Sequence, residues 1–262
     1  MSHYTPSALK DLFDAEVEAR IKHRDLIGEV LRVQEFVKNQ EALSYLNYGV
    51  NRRLYVLSRT FDRIFELFPP DRADPLSDDD RIDLEINLHA FMIHIHGVVD
   101  NLALVVGHEQ NMVGHNKRQF RNPEVGFFKS EVVKKLPSRL RTFFQQDTLV
   151  AWHREYAKEY RDSLAHRIPA YVPPQALDDA EATEYAAIDQ RIRESIENGR
   201  LVSDETWESL RSVGRANPLF LSSPHAQQKP MYLHPQVIAD IATVVEITRF
   251  VVSYIRPGSP DE

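Results

Sequence analysis

Arg161, Asp162 and His166 fall within two turns of a stretch that stops at a proline: Arg161-Asp162-Ser163-Leu164-Ala165-His166-Arg167-Ile168-Pro169. An arginine and a histidine at this separation can hold and cleave an RNA phosphodiester without metal. The imidazole would take the proton of the 2′-hydroxyl or protonate the leaving oxygen. The guanidinium would hold the phosphate and the charge that builds on it in the transition state. Asp162, four residues before His166 on the same helix face, would hydrogen-bond and orient the imidazole. Spacing alone does not select these residues. With 23 Arg and 11 His in 262 residues, such a pair arises about once by chance. The same residues also suit a structural part, with Arg161 and Asp162 as solvated charges and His166 as a helix cap.

The proline fixes how these side chains are presented. Ile168 precedes Pro169 and is pushed out of the helical region, so the helix should end near Arg167. His166 then sits in the last turn, where the negative end of the dipole attracts positive charge. Arg161 and His166 lie about 140° apart around an ideal helix. They converge on one ligand only if the last turn tightens or if the site lies across an interface. The helix opens at Asp147 and carries Trp152, Tyr156 and Tyr160 at four-residue steps, a pattern that reads as core packing. Beyond Pro169, Tyr171-Val172-Pro173-Pro174 reads as an extended strap, since a residue before proline avoids the helical region.

The remaining elements are also mostly helical. Residues 7–37 place Leu12, Phe13, Val17, Ile21, Ile27, Leu31 and Phe36 at three- and four-residue steps, an apolar stripe behind an expected N-cap at Ser7. A second helix spans about 41–68 and ends at Pro69-Pro70. Ser77 followed by Asp78, Asp79 and Asp80 starts a third, which runs to about Gly107. Residues 108–146 are the least regular, with room for a short helix near 129–135. Shorter helices follow at 181–198 and at 203–211, the latter capped by Ser203. Pro218 to Ser222 and Pro230 to His234 read as the arms of a hairpin, and a final, largely apolar helix begins with Pro235 in first position and ends near Ile255. The fold class is all-α: a bundle of long antiparallel helices with a small C-terminal β-hairpin and a final buried helix.

Composition narrows the function classes. The chain is 42% hydrophobic and 27% charged, as in globular proteins. It has no cysteine, so neither a disulfide framework nor a thiolate metal site can form. The charges crowding the first thirty residues argue against a signal-peptide apolar region, and the longest apolar runs fall short of the about 18 residues of a membrane span. A cytoplasmic location without membrane contact is expected. Net charge is −7, but residues 111–167 carry 12 basic against 6 acidic groups, while the segments on either side are acidic. A basic middle can attract a polyanion locally even in an acidic chain.

Other polar residues compete for a role. His89, His96 and Asp100 lie at seven- and four-residue steps on one stripe of the third helix, with His94 nearly opposite. No Glu-x-x-His pair accompanies them, so no metal is expected. Asp100 and Asn101 are read as interior polar groups in need of partners, with the motif helix as the partner of choice. His108 and His115 share a loop with Gly107, Gly114, Lys117 and Arg118 that matches no phosphate-binding fingerprint. His225 and His234 read as turn and cap residues.

The string YRDSLAHRIPAYVPP (Tyr160 to Pro174), preceded by DNLALV (Asp100 to Val105), resembles members of the HEPN superfamily, the higher-eukaryote and prokaryote nucleotide-binding helical domains. The resemblance implies a helical bundle, often dimeric, whose catalytic members carry an arginine, a polar residue, three to five further residues and a histidine. Arg161, Asp162 and His166 match that pattern. Implied with it are metal-independent endoribonuclease activity of the kind found in toxins and antiviral effectors, RNA as substrate, no cofactor, and paired motifs meeting in a homodimer. Residues 1–175 would form the HEPN-like core, and 176–262 a helical and hairpin extension packed on it within the same domain. His96, Asp100, Asn101 and Arg167 would support or bind beside the motif. The rival reading is a non-catalytic module that uses the same groove, or the apolar hairpin region, to bind a nucleotide, RNA or a partner protein.

Overall fold

A computed structural model describes residues 4–112, 124–221 and 230–256. Among the described residues the chain is mostly helical, with one two-stranded antiparallel sheet near the C-terminus. At the centre runs α4 (Asp78–Glu109), which starts where Ser77 Oγ accepts from the Asp80 amide and three aspartates meet the positive end of the dipole. Apolar residues surround much of this helix, and Leu88, Phe91, Ile95, Val98, Leu102 and Val105 are all buried. By length and composition α4 could cross a membrane, yet 67% of its most apolar window is buried against the other helices. Its unbroken apolar runs are short because scattered His and Asp interrupt them without ending the helix.

Around α4 pack α2 (Gln40–Ser44), α3 (Arg52–Leu67), α8 (Lys158–His166) and α11 (Leu233–Ile255), with α1 (Pro6–Val33) lying on α11 and α3. Two helices contain a wider π-helical turn. Tyr45–Asn51 joins α2 to α3, and His153–Ala157 joins α7 (Asp147–Trp152) to α8. Within the basic middle, α5 (Ser130–Val133) falls where a short helix was expected, and α6 (Ser138–Phe144) lies in the stretch that looked irregular.

The face of α1 differs from the expected stripe. Leu12, Ala19, His23, Leu26, Ile27, Val30 and Val33 are buried, whereas Phe13, Val17, Ile21, Leu31 and Phe36 are exposed. The helix carries apolar residues on two sides, and the side with Leu26, Ile27, Val30 and Val33 is the buried one. Its N-cap is Thr5, one turn before the bond it accepts from Ala8, with Pro6 at the first helical position rather than Ser7 as cap.

After α8 the chain becomes extended at Arg167 and straps back over α4. His89 Nε2 donates to the Ala170 carbonyl (2.5 Å), and the Val172 amide donates to Glu85 Oε1 (3.0 Å). Tyr171 pairs with Leu221 beside the sheet formed by β1 (Leu219–Phe220) and β2 (Met231–Tyr232). Between strap and sheet, α9 (Asp179–Glu197) and α10 (Asp204–Ser212) enclose a small core of their own, Ile188, Ile192, Leu210 and Val213. Gly214 has a φ of +88°, and a Cβ there would lie 2.6 Å from the Ala176 carbonyl, so the turn into the sheet requires glycine. His234 is not a cap: it is buried in α11, its Nε2 donating to the Phe68 carbonyl (2.6 Å) and its Nδ1 accepting from the Tyr4 hydroxyl (3.0 Å). His115, Lys117, Arg118, Arg121 and His225 lie outside the described residues.

Candidate functional site

The α7–α8 helix is pinned from behind. Trp152 Nε1 (2.9 Å) and Gln236 Nε2 (3.0 Å) donate to one oxygen of the buried Asp240, and the Tyr160 hydroxyl (3.0 Å) donates to the other. Trp152 and Tyr160 are eight residues apart, which on an ideal α-helix leaves them about 80° out of register. The π-helical turn between them uses more residues per turn and takes up that offset. Both side chains thus reach one carboxylate on α11, which fixes the helix against α11 and leaves its opposite side facing elsewhere.

On that opposite side is a cavity of about 490 Å³, within the usual range for a small-ligand site. From α4 it receives His96 and Asp100, one turn apart, with His96 Nδ1 3.1 Å from Asp100 Oδ2. From the π-helical turn comes His153, whose ring lies 5.8 Å from that of His96. Phe128 stacks on His153 at 4.0 Å, and Phe127 stacks on Phe144 at 3.8 Å, so much of the wall is aromatic. Lys129, Arg154, Lys158 and Arg161 bring positive charge to the lining. Burial pushes the His153 pKa down to about 4, and His96, Arg161 and Lys158 act in the same direction against Asp100. At neutral pH His153 is therefore an uncharged imidazole, able to donate from one nitrogen and accept at the other.

Arg161 is the motif residue that reaches this cavity. Its Nε (2.9 Å) and Nη2 (2.5 Å) donate to Asp162 Oδ1, while Nη1 has no partner among the described residues. Asp162 does not orient His166. It is held by Arg161 and by Lys158, whose Nζ is 3.2 Å from Oδ2. Burial would raise its pKa, but these bonds outweigh burial and keep the carboxyl below its ordinary value. The i,i+4 partner that captures Asp162 is thus Lys158, on the N-terminal side.

His166 lies apart from this group. It is exposed at the end of α8, outside the cavity, and has no hydrogen-bond partner among the described residues. The last turn of α8 does not tighten, so within one chain Arg161 and His166 face different ways. Arg167 is drawn back along the helix, its Nη1 2.6 Å from Glu159 Oε1, and does not line the cavity. Of the supporting residues expected on α4, His96 and Asp100 do face the motif helix. Asn101 does not: it accepts from Arg53 Nε (2.9 Å) on the opposite side, where Arg53 also meets His94 Nδ1 at 3.1 Å. Gly49 and Gly97 make room for that pairing, since a Cβ at either would fall within 2.7 Å of Asn101 or Arg53.

His153, Phe128 and Lys158 were not singled out in the sequence. Lys158 could have been, because it stands four residues before Asp162. His153 is harder to find, because counting at 100° per residue leaves it about 80° from Arg161, an offset that the π-helical turn takes up. Among the described residues no group of three or more His, Asp or Glu is placed to hold a metal ion. In comparisons with known proteins, the chain matches no family model, no curated protein and no solved structure.

Proposed function

We propose that the chain is a HEPN-like helical protein that binds single-stranded RNA at Arg161 and cleaves it without metal when two copies bring their α8 ends together. The observation that carries this reading is the division of the motif. Arg161 offers Nη1 and positive neighbours at the cavity, while His166 stands partner-free in solvent at the end of the same helix. A guanidinium so placed can hold a phosphate and the charge of its transition state. An exposed imidazole from a two-fold-related copy can take the 2′-hydroxyl proton or protonate the leaving oxygen. Attack of the 2′-oxygen on phosphorus breaks the bond to the 5′-oxygen, which leaves one end as a 2′,3′-cyclic phosphate and the other as a 5′-hydroxyl. A cytoplasmic location and a part in toxin or antiviral systems fit this chemistry.

Incubation of single-stranded RNA with the chain in EDTA tests the proposal. Wild type should cut and leave cyclic-phosphate ends, while His166→Ala and Arg161→Ala should each lose at least about a hundredfold in rate. Uncut RNA, or equal cutting by the alanine variants, would remove it. The rival, binding without cleavage, is favoured by the aromatic lining of the cavity, and RNA or nucleotide retained on an inactive wild-type chain would support it.

A further inference from the structure

The cavity beyond Arg161 is larger and differently lined than a phosphate alone needs. It combines an apolar wall, the half-buried Phe128 backed by the buried Phe127 and Phe144, with a carboxylate, Asp100, and a neutral imidazole, His153. A phosphate would be repelled by the carboxylate, so the inner part calls for another chemical group. Resting on the RNA-binding reading above, we propose that this inner part takes one unstacked base of the RNA, and that the base is guanine.

Single-stranded RNA is read by turning a base out of the strand, packing it on aromatic side chains and bonding its Watson–Crick edge. A carboxylate only accepts hydrogen bonds. Guanine is the RNA base that presents two adjacent donors on that edge, the N1 and N2 groups, which match the two oxygens of a carboxylate. Asp100 is suited to this. His96 Nδ1 approaches only Oδ2, from 3.1 Å, which orients the carboxylate and leaves Oδ1 and the second lone pair of Oδ2 for a ligand; the side chain is 47% exposed to the cavity side and solvent. Adenine and cytosine offer one amino group beside an acceptor that a carboxylate would repel, and uracil offers a single N–H between two carbonyls. The acceptor atoms of guanine, O6 and N7, would find the neutral imidazole of His153 and the nearby positive charge of Lys158. Arg161 would then hold the adjoining phosphate at the mouth.

Calorimetric titration of the full chain with GMP, AMP, CMP and UMP tests this, with the same titrations on Asp100→Asn. The isosteric amide presents one donor where the carboxylate presents acceptors, and Asp100 is exposed enough that the variant should fold, which circular dichroism will verify. Wild type should bind GMP at least tenfold more tightly than the other three, and Asp100→Asn should lose at least tenfold for GMP while AMP and CMP, whose donor-and-acceptor edges match an amide, gain on it. In RNA cleavage the same variant should lose its preference for guanine at the cut site. Equal affinity for the four nucleotides, or a guanine preference that survives Asp100→Asn, would overturn the proposal. RNA cut without base preference would leave the Arg161–His166 reading standing and remove only this one. Asp100-dependent GMP binding by a chain that cuts no RNA would do the reverse.

Discussion

Asp240 offers a way to measure how firmly the site-bearing helix is fixed. Its carboxylate is wholly buried and receives hydrogen bonds from Trp152, Tyr160 and Gln236. Burial dominates those bonds and pushes the pKa up to about 7, against about 3.9 for an unfolded aspartate. The folded chain therefore holds this proton more tightly than the unfolded chain. Stability from this group is fully present below about pH 4, declines as pH rises towards 7, and is then level. Three units at about 1.4 kcal/mol each set a ceiling of about 4 kcal/mol. Asp240→Asn preserves the shape: its Oδ1 can still accept from Trp152 and Gln236, and its amide can donate to the Tyr160 oxygen. The variant should match wild type near pH 4.5 and become more stable than it by about 2–4 kcal/mol near pH 8. Urea unfolding followed by tryptophan fluorescence across that range, at constant ionic strength, supplies the difference. Taking variant minus wild type cancels the histidine titrations common to both. A difference that does not change with pH, or one that favours wild type more strongly at high pH, would refute the reasoning.

Other substitutions test separate parts of the structure. His23 is buried on the inner side of α1 with its Nε2 unpartnered, and burial pushes its pKa down to about 4. Its contribution is thus retained above about pH 6.5 and lost as pH falls towards 4. His23→Leu should raise stability by about 1–2 kcal/mol at neutral pH and flatten the acid loss, which thermal unfolding at two pH values can check; a variant less stable at both would contradict this. Gly49→Ala places a Cβ 2.7 Å from Asn101 Oδ1, which is itself held by Arg53, and should cost about 1–3 kcal/mol. In Gly28→Ala the nearest atom is the flexible end of Arg32 at 3.4 Å, so the gain in helix propensity should prevail by about 0.5–1 kcal/mol. Chemical denaturation of the pair should give opposite signs.

Much of the fold was legible because its signals are local. Ser77 with three aspartates, Ser203, Pro169 and the paired prolines at 69 and 70 mark helix ends by their own backbone chemistry, and the structure has ends at or beside each. The hairpin arms around Leu219 and Met231 were legible for the same reason. Contacts between elements were not. α1 has two apolar sides, and only the position of α11 decides that Leu26 and Val30 go inward while Val17 stays out. In the candidate site, the stripe of His96 and Asp100 followed from helical steps of four. The helix end could be placed, but not the π-helical turn at His153–Ala157, on either side of which Trp152 and Tyr160 both bond the distant Asp240. The pairing of Asp162 with Lys158 rather than His166 turned on which i,i+4 neighbour carries a fixed charge.

The central claim is that Arg161 of one copy and His166 of another form each cutting site. Mixing Arg161→Ala and His166→Ala chains, after dissociation and reassembly, tests it most directly. Neither variant should cut RNA alone. In an equal mixture about half of the dimers contain one of each chain, and every such dimer regains one of its two sites, so about a quarter of wild-type activity should return. No recovery on mixing, from variants that fold and assemble as wild type does, would contradict the claim.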